Sequence, residues 1–462
     1  MTKLDDVLSY ARKIVEPDED ERIHISKVAE TILQKARSVI GVKKIGVEAV
    51  LGGSYAKDTW LKGECDIDLF IKFPPELKID DLKEIGLDVA KEILAGYPAL
   101  MRYSEHPYLE GFIDGIRVNV VPCFNVKPKQ WISAADRSPY HTEYVRQHLK
   151  EELKSEVRIL KKFIKANGIY GAEVKTKGFS GYVCEVLILR YGSFINTLAA
   201  FSDLKRGAVI SLGEVPADVK LRFQSPLIIL DPIDSERNLG AAISEESLAT
   251  LISSARSFLQ NPKIKYFEKS NIDSNTLPIL EPMVDSLVLL HFTHERRSPD
   301  ILWGQLHKTS EAIEKQMKIR GFEVLKVCVG SSELDESAIL FLLESQTLPK
   351  FMLKVGPEVY RKEDALRFVE KNLKRSTMLW FSKEGRIMSL QERTERSAVD
   401  VLRRILSSPK EIGVSEGLRE ALRSSIKIST GKEVLDALES RSWLKKEVMR
   451  LASTRGLAFD PD

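Results

Sequence analysis

An apolar run ending in two glycines, followed at a fixed interval by two aspartates on alternate positions, constrains this chain more than any other feature. Val47-Glu-Ala-Val-Leu51 reads as a strand and runs into Gly52-Gly53-Ser54. After eleven intervening residues comes Asp66-Ile-Asp68, the start of a second strand, Asp66-Ile-Asp-Leu-Phe-Ile-Lys-Phe73, which stops at Pro74-Pro75. Side chains two apart on a strand share a face, so Asp66 and Asp68 project together. Ile67, Leu69, Ile71 and Phe73 take the other face and need a core. Paired carboxylates are a natural seat for Mg²⁺, a hard cation that prefers carboxylate and phosphate oxygens. A Gly-Gly-Ser turn can offer backbone N–H groups and a hydroxyl to a phosphate. An isolated Asp-x-Asp also fits an edge strand with a polar face. It is the order of strand, glycine turn and paired aspartates that favours the functional reading.

Around this core the first 125 or so residues alternate helices and strands. Ile25, Val28, Ile32 and Val39 keep helical spacing, and a further helix is expected at about 79–95. Tyr108–Ile113 and Ile116–Val121 flank Asp114-Gly115, a strong hairpin signal. From His148 the pattern turns helical, with Leu153, Val157, Leu160 and Ile164 on one stripe, then a buried helix at Tyr182–Tyr191 and a short strand ending at Asp231-Pro232. Leu287–Phe292, the helix Ile301–Ile319, Phe322–Val329 and Ala338–Leu343 give a β-α-β-β order. The last seventy residues, about 394–455, read as helical. The expected architecture is α+β and multidomain: a head of mixed sheet and helices at 1–147, a mainly helical neck at 148–260, a small α+β body at 261–392 and a helical tail at 393–462.

Composition narrows the classes. With 462 residues, two to four domains can each bury a core. Lys and Arg total 70 against 67 Asp and Glu, so the net charge of +3 leaves any polyanion-binding surface to be local. No apolar run approaches the ~20 residues needed to span a bilayer, so no membrane partner is expected. Cys65, Cys123, Cys184 and Cys328 are scattered and include no CxxC pair, which argues against a disulfide scaffold or a Cys zinc site and for a reducing cytoplasm. His291 and His294 lack companion ligands and are not read as a metal site.

The stretch from Gly53 to Gly63 followed by Asp66-Ile-Asp68 resembles the signature of the DNA polymerase β nucleotidyltransferase superfamily. More closely, the chain resembles the class I, archaeal-type CCA-adding tRNA nucleotidyltransferases. The likeness continues through Glu105-His-Pro-Tyr108, Val120-Val-Pro-Cys123, Ser133–His141, Leu160-Lys161, Lys165–Ala172, Gly178–Tyr182 and Asp231–Asn238, in order over about 190 residues. It implies a polymerase-β-like head and addition of C, C and A to the tRNA 3′ end from CTP and ATP, with release of pyrophosphate. By resemblance two Mg²⁺ ions would be held at Asp66 and Asp68, and Gly53-Ser54 would contact the triphosphate. Lys57 stands where many members have Arg. His141, Lys161 and Tyr170 match nucleotide-binding positions, and Arg237 matches one that helps read the incoming base.

One position departs from the family. Its third metal-holding carboxylate, in the pattern D-V-V-P-C, is matched here by Asn119 in Arg117-Val-Asn-Val-Val-Pro-Cys123. An amide oxygen can ligate Mg²⁺ but brings no charge and cannot accept the proton of an attacking 3′-hydroxyl. General-base assistance is typically worth about 10²–10⁴-fold, so activity is expected to be reduced or abolished unless another group substitutes. The alternatives are a catalytically inactive tRNA-binding paralogue and a poly(A)- or oligoadenylate-type polymerase.

For RNA contact the sequence offers two regions. Lys150, Lys154, Arg158, Lys161 and Lys165 recur at helical spacing and read as one basic face. Arg403 and Arg404, with Arg393, Arg396, Arg419 and Arg423, offer a second, and the resemblance implies a tail that grips the tRNA elbow by backbone and shape. A homodimer is left open.

Overall fold

The computed structural model describes residues 3–43, 46–103, 107–268, 278 and 280–452. Glu105 and His106 of the Glu105–Tyr108 motif, and the tail beyond 452, lie outside them. The chain divides into two compact units that meet in sequence at about residue 271.

In the first unit two helices, α1 (Lys3–Val15) and α2 (Glu19–Lys43), precede the strand β1 (Glu48–Gly52) and the short helix α3 (Gly53–Lys57). Then follow β2 (Asp66–Phe73), α4 (Ile79–Ile93), β3 (Ala99–Tyr103), β4 (Pro107–Ile113) and β5 (Ile116–Phe124). The five strands form one sheet in the order β1-β2-β5-β4-β3, with β2 and β5 parallel and the other pairs antiparallel. The apolar alternation of β2 decides which face is covered. Ile67, Leu69 and Ile71 are fully buried and pack with Ile25, Val28 and Ile32 of α2 and with Leu82, Val89 and Ile93 of α4. Each such side chain contributes roughly 1.5–3 kcal/mol, enough to fix the register. Asp66 and Asp68 therefore stay on the opposite face.

The second core of this unit is built by α5 (Arg137–His148), α6 (Glu151–Ala166), α7 (Gly181–Tyr191), α8 (Phe194–Ser202) and, after the strands at 208–238, α10 (Glu245–Gln260). Phe163, Phe194, Phe258, Tyr266 and Phe267 form its aromatic centre, with ring centroids 5.4–6.0 Å apart. Two features depart from the sequence reading. α1 belongs to this core and not to the head, since Val7, Ala11 and Val15 are buried in it. The segment at 208–238 is a three-stranded sheet, β6 (Ala208–Ile210), β7 (Leu227–Asp231) and β8 (Asp234–Asn238), with the one-turn helix α9 (Val219–Arg222) in between. No single described helix is long and apolar enough to cross a membrane; α7 and α8 are apolar but meet at 92° and lie in the core.

The second unit shows the expected β-α-β-β order: β9 (Leu287–Thr293), the helix Pro299–Ile319, β10 (Val324–Ser331) and β11 (Glu336–Leu343). The remainder was not legible in the pattern. β12 (Phe351–Glu358), β13 (Ser376–Phe381) and β14 (Arg386–Glu392) form a separate sheet in the order β12-β14-β13. The tail is helical except for β15 (Lys427–Thr430), which pairs with β9 and so ties the tail into the body's sheet.

Candidate active site

The β1–α3 turn sets the geometry of the site. Register places Gly52 opposite Asp68, so the turn passes directly beside that carboxylate. At Gly53, where φ is +65°, a Cβ would stand 1.8 Å from Asp68 Oδ2; at Gly52 it would stand 2.5 Å from the Phe70 ring. Both glycines are thus required by close approach, and the first also by its left-handed backbone. Ser54 follows Gly53 in α3. Gly53 N donates to Thr142 Oγ1 at 3.2 Å, which joins the turn to α5. Asp136 anchors the other end of that connection. It is fully buried and accepts from the backbone N–H groups of Phe124 at 2.7 Å, Ile132 at 2.9 Å and Ser133 at 2.7 Å, so the end of β5 and the start of α5 are held together.

Across β2 and β5, Asp66 faces Arg117 and Asp68 faces Asn119. The structure therefore brings Asp66, Asp68 and Asn119 to one face of two neighbouring strands. Asn119 Nδ2 donates to Asp68 Oδ1 at 2.9 Å, and its Oδ1 is buried without a hydrogen-bond partner. Burial pushes the Asp68 carboxyl above its ordinary range; the Asn119 bond opposes this and the Asp66 charge adds to it. Among the described residues no three His, Cys, Asp or Glu side chains group closely enough to hold a metal ion. The donor set that remains fits a hard divalent cation: two carboxylates, one orphaned amide oxygen, and the space left by the missing Gly53 side chain.

The predicted nucleotide-binding residues form a second, buried cluster. Lys57 Nζ lies 2.6 Å from Glu185 Oε2, and Lys161 Nζ 3.1 Å from Glu185 Oε1. Lys161 also donates to Thr59 O and Oγ1, each at 3.0 Å, and Thr59 Oγ1 donates to Glu185 at 2.6 Å. Burial pushes the Glu185 carboxyl up, but Lys161 and Lys57 more than offset it and hold it at about 2. Burial draws the Lys161 ammonium down against the pull of Glu185. Two ammonium groups share one carboxylate, so this cluster holds more positive than negative charge. Tyr170 and Lys161 both crowd Gly181, where a Cβ would meet the Tyr170 hydroxyl at 2.9 Å and Lys161 Cε at 3.4 Å.

His141 and Arg237 converge on Asp231. His141 Nε2 lies 2.8 Å from Asp231 Oδ2, Arg237 Nη1 3.4 Å from the same oxygen, and the Tyr182 hydroxyl donates to Oδ1 at 3.2 Å. The His141 and Tyr182 rings stack with centroids 3.9 Å apart. Burial holds the imidazole below its ordinary range, in opposition to Asp231. The Lys57 ammonium sits 5.8 Å over Tyr182, linking the two clusters.

Sequence reasoning missed Glu185, Asp231, Tyr182, Thr59 and Thr142 as site residues. Glu185 had a signal: it is the one charge in Val183-Cys-Glu-Val-Leu-Ile188, and a buried lone carboxylate needs partners.

The expectation of one continuous basic face on α6 is not met. Arg158 is buried, donating to Trp60 O at 3.0 Å and Asp58 O at 2.7 Å and pairing with Glu16 at 3.0 Å; Lys161 is buried at Glu185. A three-to-four-residue spacing repeats faces of a helix but does not say which one meets solvent. Lys154 pairs with Asp58 at 3.3 Å and Glu151 at 2.5 Å, Lys165 pairs with Glu64, and Lys150 is exposed at the start of α6. In the second unit Arg403 and Arg404 are well exposed, Arg404 pairing with Glu395 at 2.5 Å. A cavity of about 590 Å³ there is lined by Arg403, Arg423 and Lys427 with Leu406, Leu422 and Ile428.

Comparison with known proteins decides the family. The chain is 36% identical over 415 residues to the CCA-adding enzyme of Pyrobaculum islandicum, covering 88% of this chain and 94% of that protein. It belongs to the CCA-adding enzymes. Those of Methanothermobacter thermautotrophicus (32% identity, 92% and 94% covered) and Methanopyrus kandleri (35%, 91% and 90%) match over similar lengths. Residues 14–141 match the nucleotidyltransferase domain, 155–268 the tRNA nucleotidyltransferase second domain, and 285–440 the CCA-adding enzyme C-terminal domain. The head is thus a nucleotidyltransferase domain, and the chain is a nucleotidyltransferase. Among solved structures, the Cid1 poly(U) polymerase aligns with 57% of this chain and 98% of its own at 14% identity and a TM-score of 0.46.

Proposed function

We propose that this member of the CCA-adding family adds C, C and A in order to the 3′ end of tRNA, consuming CTP and ATP in the cytoplasm. The tRNA 3′-oxygen forms a bond to the α-phosphorus, the α–β anhydride bond breaks, and pyrophosphate leaves. The alignment of Asp66, Asp68 and the orphaned Asn119 oxygen beside a buried positive surplus is the observation that carries this reading. Two Mg²⁺ ions held by Asp66, Asp68 and the Asn119 carbonyl would supply Lewis acidity to the entering oxygen and neutralise the leaving pyrophosphate.

The chain's own residues do the rest. Lys57 and Lys161 hold the triphosphate with their uncompensated charge, and Gly53-Ser54 lets it approach the strand. His141, Tyr170 and Tyr182 provide ring and hydroxyl contacts for the sugar, and Arg237 reads the base edge once it leaves Asp231. Asn119 cannot take up the hydroxyl proton, which passes to water, so the step is slow relative to a three-carboxylate site. For tRNA we assign Lys150, Lys154 and Lys165 on α6 and Arg403 and Arg404 in the second unit; Arg158 leaves the set because it is buried. The catalytic head, helical neck, body and tail then divide chemistry from RNA holding. Two copies would pair through the open face of the β12-β14-β13 sheet, where Leu353, Val355, Met378 and Trp380 are exposed.

The test is incubation of tRNA lacking its CCA end with labelled CTP and ATP, using this chain and Asn119→Asp. Ordered CCA addition by both, about 10²-fold or more faster with Asp, is expected. No addition by either would overturn the reading in favour of an RNA binder, and long A-only products would favour a polymerase.

A further inference from the structure

The groups flanking the paired carboxylates form a second charge system. Asp68, Asn119 and Glu110 stand in register across β2, β5 and β4, so Glu110 occupies the same face one strand beyond Asn119. Arg117, in register with Asp66, grips it with both arms of its guanidinium: Nε donates to Oδ1 at 2.8 Å and Nη2 donates to Oδ2. Its Nη1 lies 3.7 Å from Glu110 Oε2. Glu110 is buried, and Arg102 donates from Nε and Nη2 to its other oxygen, Oε1, at 3.1 and 2.7 Å. The row runs Asp66, Arg117, Glu110, Arg102 with alternating sign.

A two-armed guanidinium on Asp66 uses the oxygens a divalent cation needs. Asp66 and Asp68 together carry −2, and Arg117 reduces this to −1. An Asp at 119 would have added a charge to outbid the guanidinium; Asn119 adds none. A cation on Asp66 therefore competes with Arg117 for the same two oxygens. The guanidinium is half exposed on a long, jointed side chain, and Glu110 Oε2 is a buried carboxylate oxygen within a short pivot of it.

We propose that Arg117 is a built-in competitor for the cation seat and shifts from Asp66 to Glu110 when a divalent ion binds. Glu110 thereby returns, from the neighbouring strand, part of the electrostatic help that position 119 no longer gives. It acts through Arg117 and does not ligate the ion, so both are positioning residues. This rests on the reading of Asp66, Asp68 and Asn119 as the cation seat.

The experiment is Mn²⁺ titration of the full chain, reading free Mn²⁺ by its paramagnetic resonance signal, without nucleotide or tRNA. Arg117→Gln is expected to tighten Mn²⁺ about tenfold and Glu110→Gln to weaken it about tenfold, the scale of a charge-assisted pair. The double variant should bind within about threefold of Arg117→Gln, because Glu110 has no effect without Arg117. Arg117→Lys, charged but without the fork, should fall between; the exposed position keeps this pair informative even if Glu110→Gln unfolds. A change under about twofold in Arg117→Gln overturns the proposal, and so does a double variant as weak as Glu110→Gln, which would make Glu110 a ligand. Asp68→Ala separates the two failures. If it abolishes Mn²⁺ binding while Arg117→Gln is silent, the competitor alone is wrong; if it binds like the unaltered chain, the cation seat is wrong as well.

Discussion

The proposed cation side and the proposed nucleotide side of this site are built from opposite materials. Asp66 and Asp68 are two residues apart on one strand, half exposed, and their partners Arg117 and Asn119 lie on the adjoining strand. The nucleotide side is assembled over long distances in sequence: Lys57 meets Glu185 across 128 positions and His141 meets Asp231 across 90, with all four side chains buried. The first arrangement puts like charges together beside the Gly53 turn, where Asp68 loses solvent and gains only the Asn119 amide as a neutral partner, and so it costs stability. The second is part of the packing, so the proposed binding groups are also groups that hold the fold. Changes to the first should cost chemistry and spare the fold, while changes to the second should unfold the protein.

The sharpest break is Asp68→Asn. Nucleotide transfer to tRNA should fall on the order of 10³-fold or more, since a charge that stabilises the transition state is removed. Urea unfolding of the same variant should show stability unchanged or raised by about 1 kcal/mol, because burial and Asp66 both disfavour the Asp68 carboxylate. A clear loss of stability would make the cation side structural and erase the contrast. Glu185→Ala should do the reverse. It strands the Lys57 and Lys161 ammonium groups, and breaking a buried pair by removing one partner costs about 3–5 kcal/mol. A loss of unfolding free energy below about 1 kcal/mol would show that water or movement compensates.

How far each side could be read in advance follows from the same contrast. Strand alternation is local, so Ile67, Leu69 and Ile71 announced a core face and Asp66 and Asp68 a shared open one. The hairpin signal at Asp114-Gly115 announced the pairing of β4 with β5, whereas the parallel neighbour of β2 came only from the family resemblance at Asn119. Helical spacing on α6 was equally legible, yet it placed Arg158 and Lys161 on a solvated face. Nothing near them in sequence announces Glu16, Asp58 or Glu185, the acids that draw them inward. The β12-β14-β13 sheet escaped for a different reason: Phe351, Leu353, Val355, Met378 and Trp380 are exposed, so their alternation does not separate a buried face from a polar one.

A third region tests whether RNA holding is independent of both sides. Arg403→Glu with Arg404→Glu lies in the second unit, on exposed side chains whose pairs with Asp400 and Glu395 are worth little. Affinity for tRNA should fall about tenfold at moderate salt, and the slope of log affinity against log salt should flatten by about 2. CTP binding and urea stability should not move. Unaltered tRNA binding would remove this helix from the RNA surface.

The smallest effect is also the most direct measure of the buried side. Glu185 is held at about 2 against an ordinary value near 4.5, so the folded state releases its proton more readily than the unfolded state does. A depressed acid contributes stability that is complete above its unfolded value and is lost as pH falls through the window from about 4.5 to 2. Between pH 5.5 and 3.5 the unaltered chain should therefore lose roughly 1 kcal/mol more than Glu185→Gln, whose amide does not titrate. Urea unfolding at the two pH values in both proteins gives that difference, in which the other carboxylates cancel. Parallel losses would mean that Glu185 is protonated or solvated in the folded state, and the buried ion cluster would then be no firmer than the open face beside it.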